Sequence, residues 1–207
     1  MGCVIGPLVI AGVSIKKEAT RELSSIGVRD SKVLSPTQRT NLAIAIRNIA
    51  HDIFIVELPP EEIDEYVLKG RKLRKLNYLE ATAMAKVIRK LNPAIAYVDS
   101  SDVRPERFAD DIQEHLVKRI RIISEHHADQ KYPVVSAASI IAKVTRDQRI
   151  AEIENQYGDF GSGYPSDERT IRFLEDWVRK HGSFPGFVRK SWKTISRIEQ
   201  GIRQTKL

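Results

Sequence analysis

At 207 residues, 42% of them hydrophobic and 29% charged, the chain has the size and mixture of one ordinary globular domain, or of one domain with a small appendage. It contains no run approaching the roughly 20 apolar residues that span a bilayer, and its single cysteine excludes an intramolecular disulfide and suits a reducing cytoplasm. The formal charge of +7 points toward a polyanionic partner.

The chain opens MGCVIGPLVIAGV. Nothing basic precedes Cys3, Lys16 and Lys17 follow the apolar run, and Gly6-Pro7 would break a helical signal segment, so the stretch reads as structure rather than as a secretion signal. Residues 8–13 are expected to form a buried strand, and Cys3 to serve as a small buried hydrophobe. Ser35-Pro36-Thr37-Gln38 is a capping box with proline at the first helical position. It predicts a helix with Leu42, Ile46, Ile49 and Ala50 on one face, after which DIFIVEL at 52–58 alternates as a strand.

KGRKLRK at 69–75 carries five basic residues in seven. A helix over 76–92 follows, with Leu76, Leu79, Ala83, Val87 and Leu91 along one face and Asn92-Pro93 as its stop. AIAYV at 94–98 reads as a strand covered on both faces, residues 105–116 as a helix started by Pro105, and RIRIIS at 119–124 as another strand. From Pro133 to Tyr157 the pattern is helical, nearly all apolar at first, with Gly158 as its end. Strands alternating with helices imply an α/β layer structure containing parallel strands.

After the turn-rich YGDFGSGYPSDE (157–168) come two helical stretches, 167–181 and 189–203, and no further strand. The expected organisation is therefore a core over 1–157 and a helical C-terminal region over 158–207. From Arg189 onward, six basic residues (Arg189, Lys190, Lys193, Arg197, Arg203, Lys206) face one acid, Glu199. Together with the cluster at 69–75 they favour nucleic acid over a membrane, because neither has the aromatic-rich apolar face of an interfacial helix.

Two acids stand out by position. Asp99 directly follows AIAYV, at the carboxyl end of a buried strand, where open α/β sheets place their ligands. Asp129, in SEHHADQKYP, falls between the next strand and a long helix. Carboxylates converging from such places repel unless a cation or proton separates them. Mg2+ or Mn2+ takes oxygen ligands and keeps waters and substrate phosphates, and two ions about 3.5–4 Å apart can activate water and stabilise the leaving oxygen of a phosphodiester. On position alone the plainer reading has the advantage: a helix cap for Asp129 and a turn residue for Asp99. Asp30 and Asp102 read as surface or turn residues. His126 and His127 lack further zinc ligands at suitable spacing and read as an exposed pair, or as one histidine near a metal site. There is no motif for a Ser-His-Asp or Cys-His arrangement and no glycine-rich phosphate loop.

The strings YVDSSDV, EHHADQKYPVVSAASIIAK, RDSKVLS and GDFGSGYPSD, in this chain's order RDSKVLS first, resemble ribonuclease HII, the type 2 ribonuclease H, in its archaeal form. VIGPLVIAGV and KSWKT fit as well, so the resemblance covers essentially the whole chain from Gly2. It implies a ribonuclease H-like mixed sheet flanked by helices, with a helical C-terminal appendage. It also implies endonucleolytic cleavage, dependent on Mg2+ or Mn2+, of the RNA strand of RNA–DNA hybrids. Cutting 5′ of a single ribonucleotide in duplex DNA, leaving a 3′-hydroxyl and a 5′-phosphate, is implied too.

By motif, Asp99 and Asp129 match two of the family's four metal-binding acids. Tyr164 in GSGY matches the tyrosine that packs on a sugar at the RNA-to-DNA junction. Lys32 in DSK and Lys143 in SIIAK match basic positions near substrate phosphates, and Asn77 a polar residue near the DNA strand. The family's other two acids belong to a D-E-A-G-R-G motif. Gly2 matches its last glycine and Met1 stands in place of its arginine, while the earlier positions and the family's first strand have no counterpart in this chain. The expectation is a translation start upstream of Met1. The alternatives are a hybrid-binding protein that does not cleave, should the chain begin at Met1, and another two-metal phosphodiesterase on a related core. Nothing in the sequence demands more than a monomer, a cytoplasmic location or a role in DNA replication and repair being what the resemblance implies.

Overall fold

Strand β1 (Leu8–Ser14) pairs with β2 (Asp52–Leu58) in the computed structural model, which describes residues 2–28, 34–69 and 75–204. The His51 N–H donates to Ser14 O at 2.8 Å beside this ladder. Between the strands lie a 3-10 turn (Lys17–Ala19), helix α1 (Thr20–Ser25) and helix α2 (Pro36–Ile49). The capping box forms as the sequence predicts: Ser35 N donates to Gln38 Oε1 at 2.8 Å and Gln38 N to Ser35 Oγ at 3.3 Å. Helix α3 (Pro60–Lys69), which the periodicity did not announce, carries Glu61 and Glu62 in its first turn and Lys69 in its last, the charge order that a helix dipole favours.

Helix α4 (Lys75–Leu91) leads through Asn92, at φ +43°, into β3 (Ile95–Asp99). Helix α5 (Pro105–Gln113) then connects to β4 (Arg121–Glu125), which lies parallel to β3 with Asp99 opposite Glu125. Among the described residues the strands form two ladders, β1 with β2 and β3 with β4, and no described strand belongs to both. A short α6 (Ala128–Lys131) precedes the long α7 (Pro133–Tyr157), which Gly158 ends at φ +90° with its N–H on Glu154 O. Helix α8 (Glu168–His181) and helix α9 (Lys193–Gln204) follow.

Two expectations need correction. β3 is not covered on both faces: Ala96 and Val98 are buried, whereas Ile95 and Asp99 are exposed. One face packs on α4 and α5 through Ala81, Ala85, Phe108 and Ile112, while Tyr97 on the other meets the Tyr132 ring at 4.5 Å. The last helix begins at Lys193 rather than at 189, because residues 189–192 are consumed in a hydrogen-bonded turn.

The chain divides into two compact units. One gathers Val9–Glu57 and Lys72–Thr145. Its interior has a cluster in which Val13, Leu23 and Ile46 meet Ala137, Ile140 and Ile141 of α7, and a second beneath β3 and β4. Gly12 sits so close to α4 that a β-carbon there would stand 2.7 Å from Leu91 Cδ1 and nearer still to Val87. The other unit gathers Met1–Leu8, Leu58–Arg71 and Arg146–Leu207. It closes over Val4, Ile5, Ile150, Phe160, Leu174, Phe184 and Val188, and each large side chain buried there stabilises by roughly 1.5–3 kcal/mol. Cys3 is buried in this unit, and Ile5 makes an isolated antiparallel bridge to Val188. No helix among the described residues is long and apolar enough to cross a membrane.

Candidate active site

Because β3 and β4 run parallel in register, their carboxyl ends arrive together. Asp99 is the last residue of β3, and Ser100 N donates to Glu125 O at 2.9 Å just beyond it. The chain then turns through His127, which takes the left-handed conformation at φ +56° and lets α6 begin at once. The Ala128 N–H donates to Asp99 Oδ1 at 3.1 Å. The strand-end carboxylate thus caps the helix whose second residue is Asp129, and the two candidate acids become neighbours. The capping role expected of Asp129 falls to Asp99. Asp129 itself is 6% exposed, and a carboxylate so removed from water is costly unless charge or hydrogen bonds compensate.

Around this pair the groups are ordered. Glu125, opposite Asp99, accepts Tyr132 Oη at 2.9 Å and pairs with Lys131. The Lys131 ammonium first, then the tyrosine hydroxyl, holds the Glu125 carboxyl below its usual range. The same contact raises Lys131 and Tyr132. His126 and His127 are both exposed, and His126 Nε2 lies 3.3 Å from Val103 O. Among the described residues no group of three or more His, Cys, Asp or Glu comes together. Asp99 and Asp129 offer hard carboxylate oxygens, which suit Mg2+ or Mn2+ with water and substrate phosphate completing the shell.

Asp102 departs from its surface reading: it is 1% exposed. Its Oδ1 accepts Arg104 N at 2.9 Å and pairs with Arg107, and its Oδ2 accepts Asn77 Nδ2 at 3.3 Å. Asn77 also donates to Ser101 O at 3.3 Å, so this candidate is tied to the loop directly after Asp99. Lys143 lies half-buried on α7 in the same unit. Lys32, Asp30 and the core of the basic cluster at 70–74 fall outside the described residues.

Gly2 and Tyr164 belong to the other unit and are linked there. Gly163 O accepts Val4 N at 2.8 Å and Ile5 N at 3.3 Å. Gly163 needs its φ of +72°, and a β-carbon on it would stand 3.3 Å from Ile5 Cβ. Tyr164 comes next, 38% exposed, with the Arg146 guanidinium 4.9 Å from its ring centroid and donating to Ser162 O at 3.0 Å. A groove of about 530 Å³ opens beside the tyrosine, lined by Ser166, Glu175, Arg179, Thr194 and Arg197 among others.

Sequence reasoning missed Arg146 and the burial of Arg189. Arg189, counted with the basic tail, is 3% exposed. Neither carries a local signal, whereas Asp102 did: an aspartate side chain readily accepts the backbone N–H two residues on, as it does here from Arg104.

The family model described as Ribonuclease HII matches residues 1–195. Ribonuclease HII of Pyrococcus furiosus is 47% identical over 207 residues, covering 99% of this chain and 90% of that protein. Ribonuclease H2 from Pyrococcus horikoshii superposes with a TM-score of 0.89 at 44% identity, over 98% of this chain and 94% of the other. An Archaeoglobus fulgidus RNase HII, solved in complex with PCNA, gives 0.85 at 44% identity over 96% and 92%. A family match spanning nearly the whole chain, on a fold whose parallel strands bring Asp99 up to Asp129, means that the chain belongs to the ribonuclease HII family.

Proposed function

We propose that this chain is a divalent-metal-dependent endoribonuclease that cleaves the RNA strand of RNA–DNA hybrids and cuts 5′ of single ribonucleotides embedded in duplex DNA. Family membership supports an enzyme of the ribonuclease H type. The observation that carries the site is the Ala128 N–H on Asp99 Oδ1, which draws Asp129 alongside the end of β3. Asp99 and Asp129 would hold Mg2+ or Mn2+. When bound, such ions supply activated water and stabilisation of the leaving oxygen.

The remaining roles belong to the chain's own residues. Tyr164, steadied by Arg146, offers a flat ring on which the junction sugar packs. Lys143 and Lys32 neutralise phosphates near the scissile bond, and Asn77 is aimed by Asp102 at the DNA strand. Gly2 lets the backbone approach the ribose, whose 2′-hydroxyl distinguishes RNA from DNA. Water oxygen bonds to phosphorus as the bond to O3′ breaks. The attacking water gives up a proton to solvent, the upstream nucleotide leaves with a 3′-hydroxyl after taking one from solvent, and the ribonucleotide keeps the 5′-phosphate. Residues 1–157 carry this chemistry and residues 158–207 grip the duplex.

The test is cleavage of a labelled DNA duplex containing one ribonucleotide, with Mg2+ or Mn2+. Asp99→Asn and Asp129→Asn should each slow it about 100-fold or more, the scale of losing a ligand to a charge-stabilising ion, while the melting temperature stays within a few degrees. Wild-type rates in either variant overturn the site. Hybrid binding without cleavage by the unmodified chain makes it a binding module, and cleavage of all-DNA duplex makes it a broader phosphodiesterase.

A further inference from the structure

We propose that Trp192 and Arg189 are positioning residues for ribose selectivity, acting through Gly2; the inference rests on the assignment of Gly2 and Tyr164 to the ribonucleotide. The Trp192 indole N–H donates to Gly2 O at 3.3 Å. A β-carbon on Gly2 would meet Trp192 Cζ2 at 3.6 Å and an Arg189 terminal nitrogen at 3.8 Å, so this exposed glycine rests on both side chains. Arg189 in turn donates from Nε to Gly6 O at 3.0 Å and from Nη2 to Pro7 O at 2.7 Å. Its guanidinium stands 5.0 Å from the Trp192 ring centroid, and its backbone N–H donates to Val4 O at 2.9 Å.

The segment from Gly2 to Pro7 is thereby held on one side by residues 189–192 and on the other by Gly163 O, the residue before Tyr164. Asp64 fixes the holding turn from beneath. It is 8% exposed and accepts Lys190 N at 2.7 Å and Ser191 N at 2.8 Å. With its carbonyl taken by Trp192, Gly2 offers a ribose its amide edge at a height set by the indole. A 2′-hydroxyl, at once donor and acceptor, is sensitive to such placement.

The experiment measures binding of the full chain by fluorescence anisotropy, without divalent ion so that no cleavage competes. The two probes are identical DNA duplexes, one bearing a single ribonucleotide. Trp192→Phe keeps the ring and removes only the donor. It should lower the ribo-over-deoxy affinity ratio by about 3- to 10-fold, the worth of one neutral hydrogen bond, leaving all-DNA affinity and melting temperature unchanged. Arg189→Lys keeps the charge but loses the planar fork and should move the ratio the same way. An unchanged ratio in both variants overturns the proposal. So does a parallel loss for both duplexes with a lowered melting temperature, which would mark a purely architectural role. Equal binding of the two duplexes by the unmodified chain would instead bring down the assignment of Gly2 and Tyr164, and this inference with it. A wild-type preference that both variants preserve brings down the inference alone.

Discussion

Asp167 accepts the Ser162 N–H at 2.7 Å and the Arg169 N–H at 3.0 Å, tying together the loop that presents Tyr164. Those backbone donors, Ser162 first, hold its carboxyl below the usual aspartate range. A group whose folded-state pKa is depressed stabilises the fold above its unfolded value and loses that contribution as pH falls through the folded one. Thermal melting followed from neutrality to acid should therefore show Asp167→Asn less stable than wild type at pH 7, with the two curves converging below about pH 4; a constant gap would refute this. At this scale the acids were the legible part. Asp99 and Asp129 drew attention by standing at a strand end and a helix start, and the recognisable strings around them supplied the metal-binding reading through the family resemblance. Arg189 did not, because its partners Gly6 and Pro7 lie 183 and 182 residues away in sequence. A basic residue in a basic tail gives no local sign that it is buried.

Helix α4 and strand β1 press together through Gly12, with Val87 and Leu91 filling the space a β-carbon would take. Gly12→Ala should consequently cost about 1–3 kcal/mol by overpacking, read as a lower urea midpoint with an unchanged slope. An unaltered midpoint would mean that α4 can shift at no cost. Elements with a strong periodic or punctuating signal were foreseen within a few residues: α2 from its capping box, β2 from its alternation, α7 from Pro133 to Gly158. Helix α3 went unread although Pro60, Glu61 and Glu62 are helix-start signals, and α6, four residues long, is too short for periodicity to exist. The apolar run of β3 suggested two covered faces, yet a run of that length cannot say which neighbours will be present, and on that face Tyr97, half-buried, meets the Tyr132 ring.

Across the whole molecule the charge excess is less available than its count suggests. Arg189 is withdrawn into the interior, whereas Lys190, Lys193, Arg197 and Arg203 remain exposed. Duplex affinity should fall linearly on a logarithmic salt scale, and replacing Lys193, Arg197 and Arg203 by glutamine should flatten that line by nearly one unit for each phosphate no longer neutralised. Anisotropy titrations between about 50 and 200 mM salt measure this, and an unchanged slope would place the duplex elsewhere. The interleaved composition of the two units was beyond sequence reasoning, since 1–8 and 58–71 join 146–207 through packing that no local pattern encodes. Cys3, shut inside the same knot that holds Gly2 and Val4, is the chain's one sulfhydryl. Because Cys3 is buried, its reaction with a thiol-seeking dye reports local opening, so its labelling rate becomes a clock for how often that end breathes.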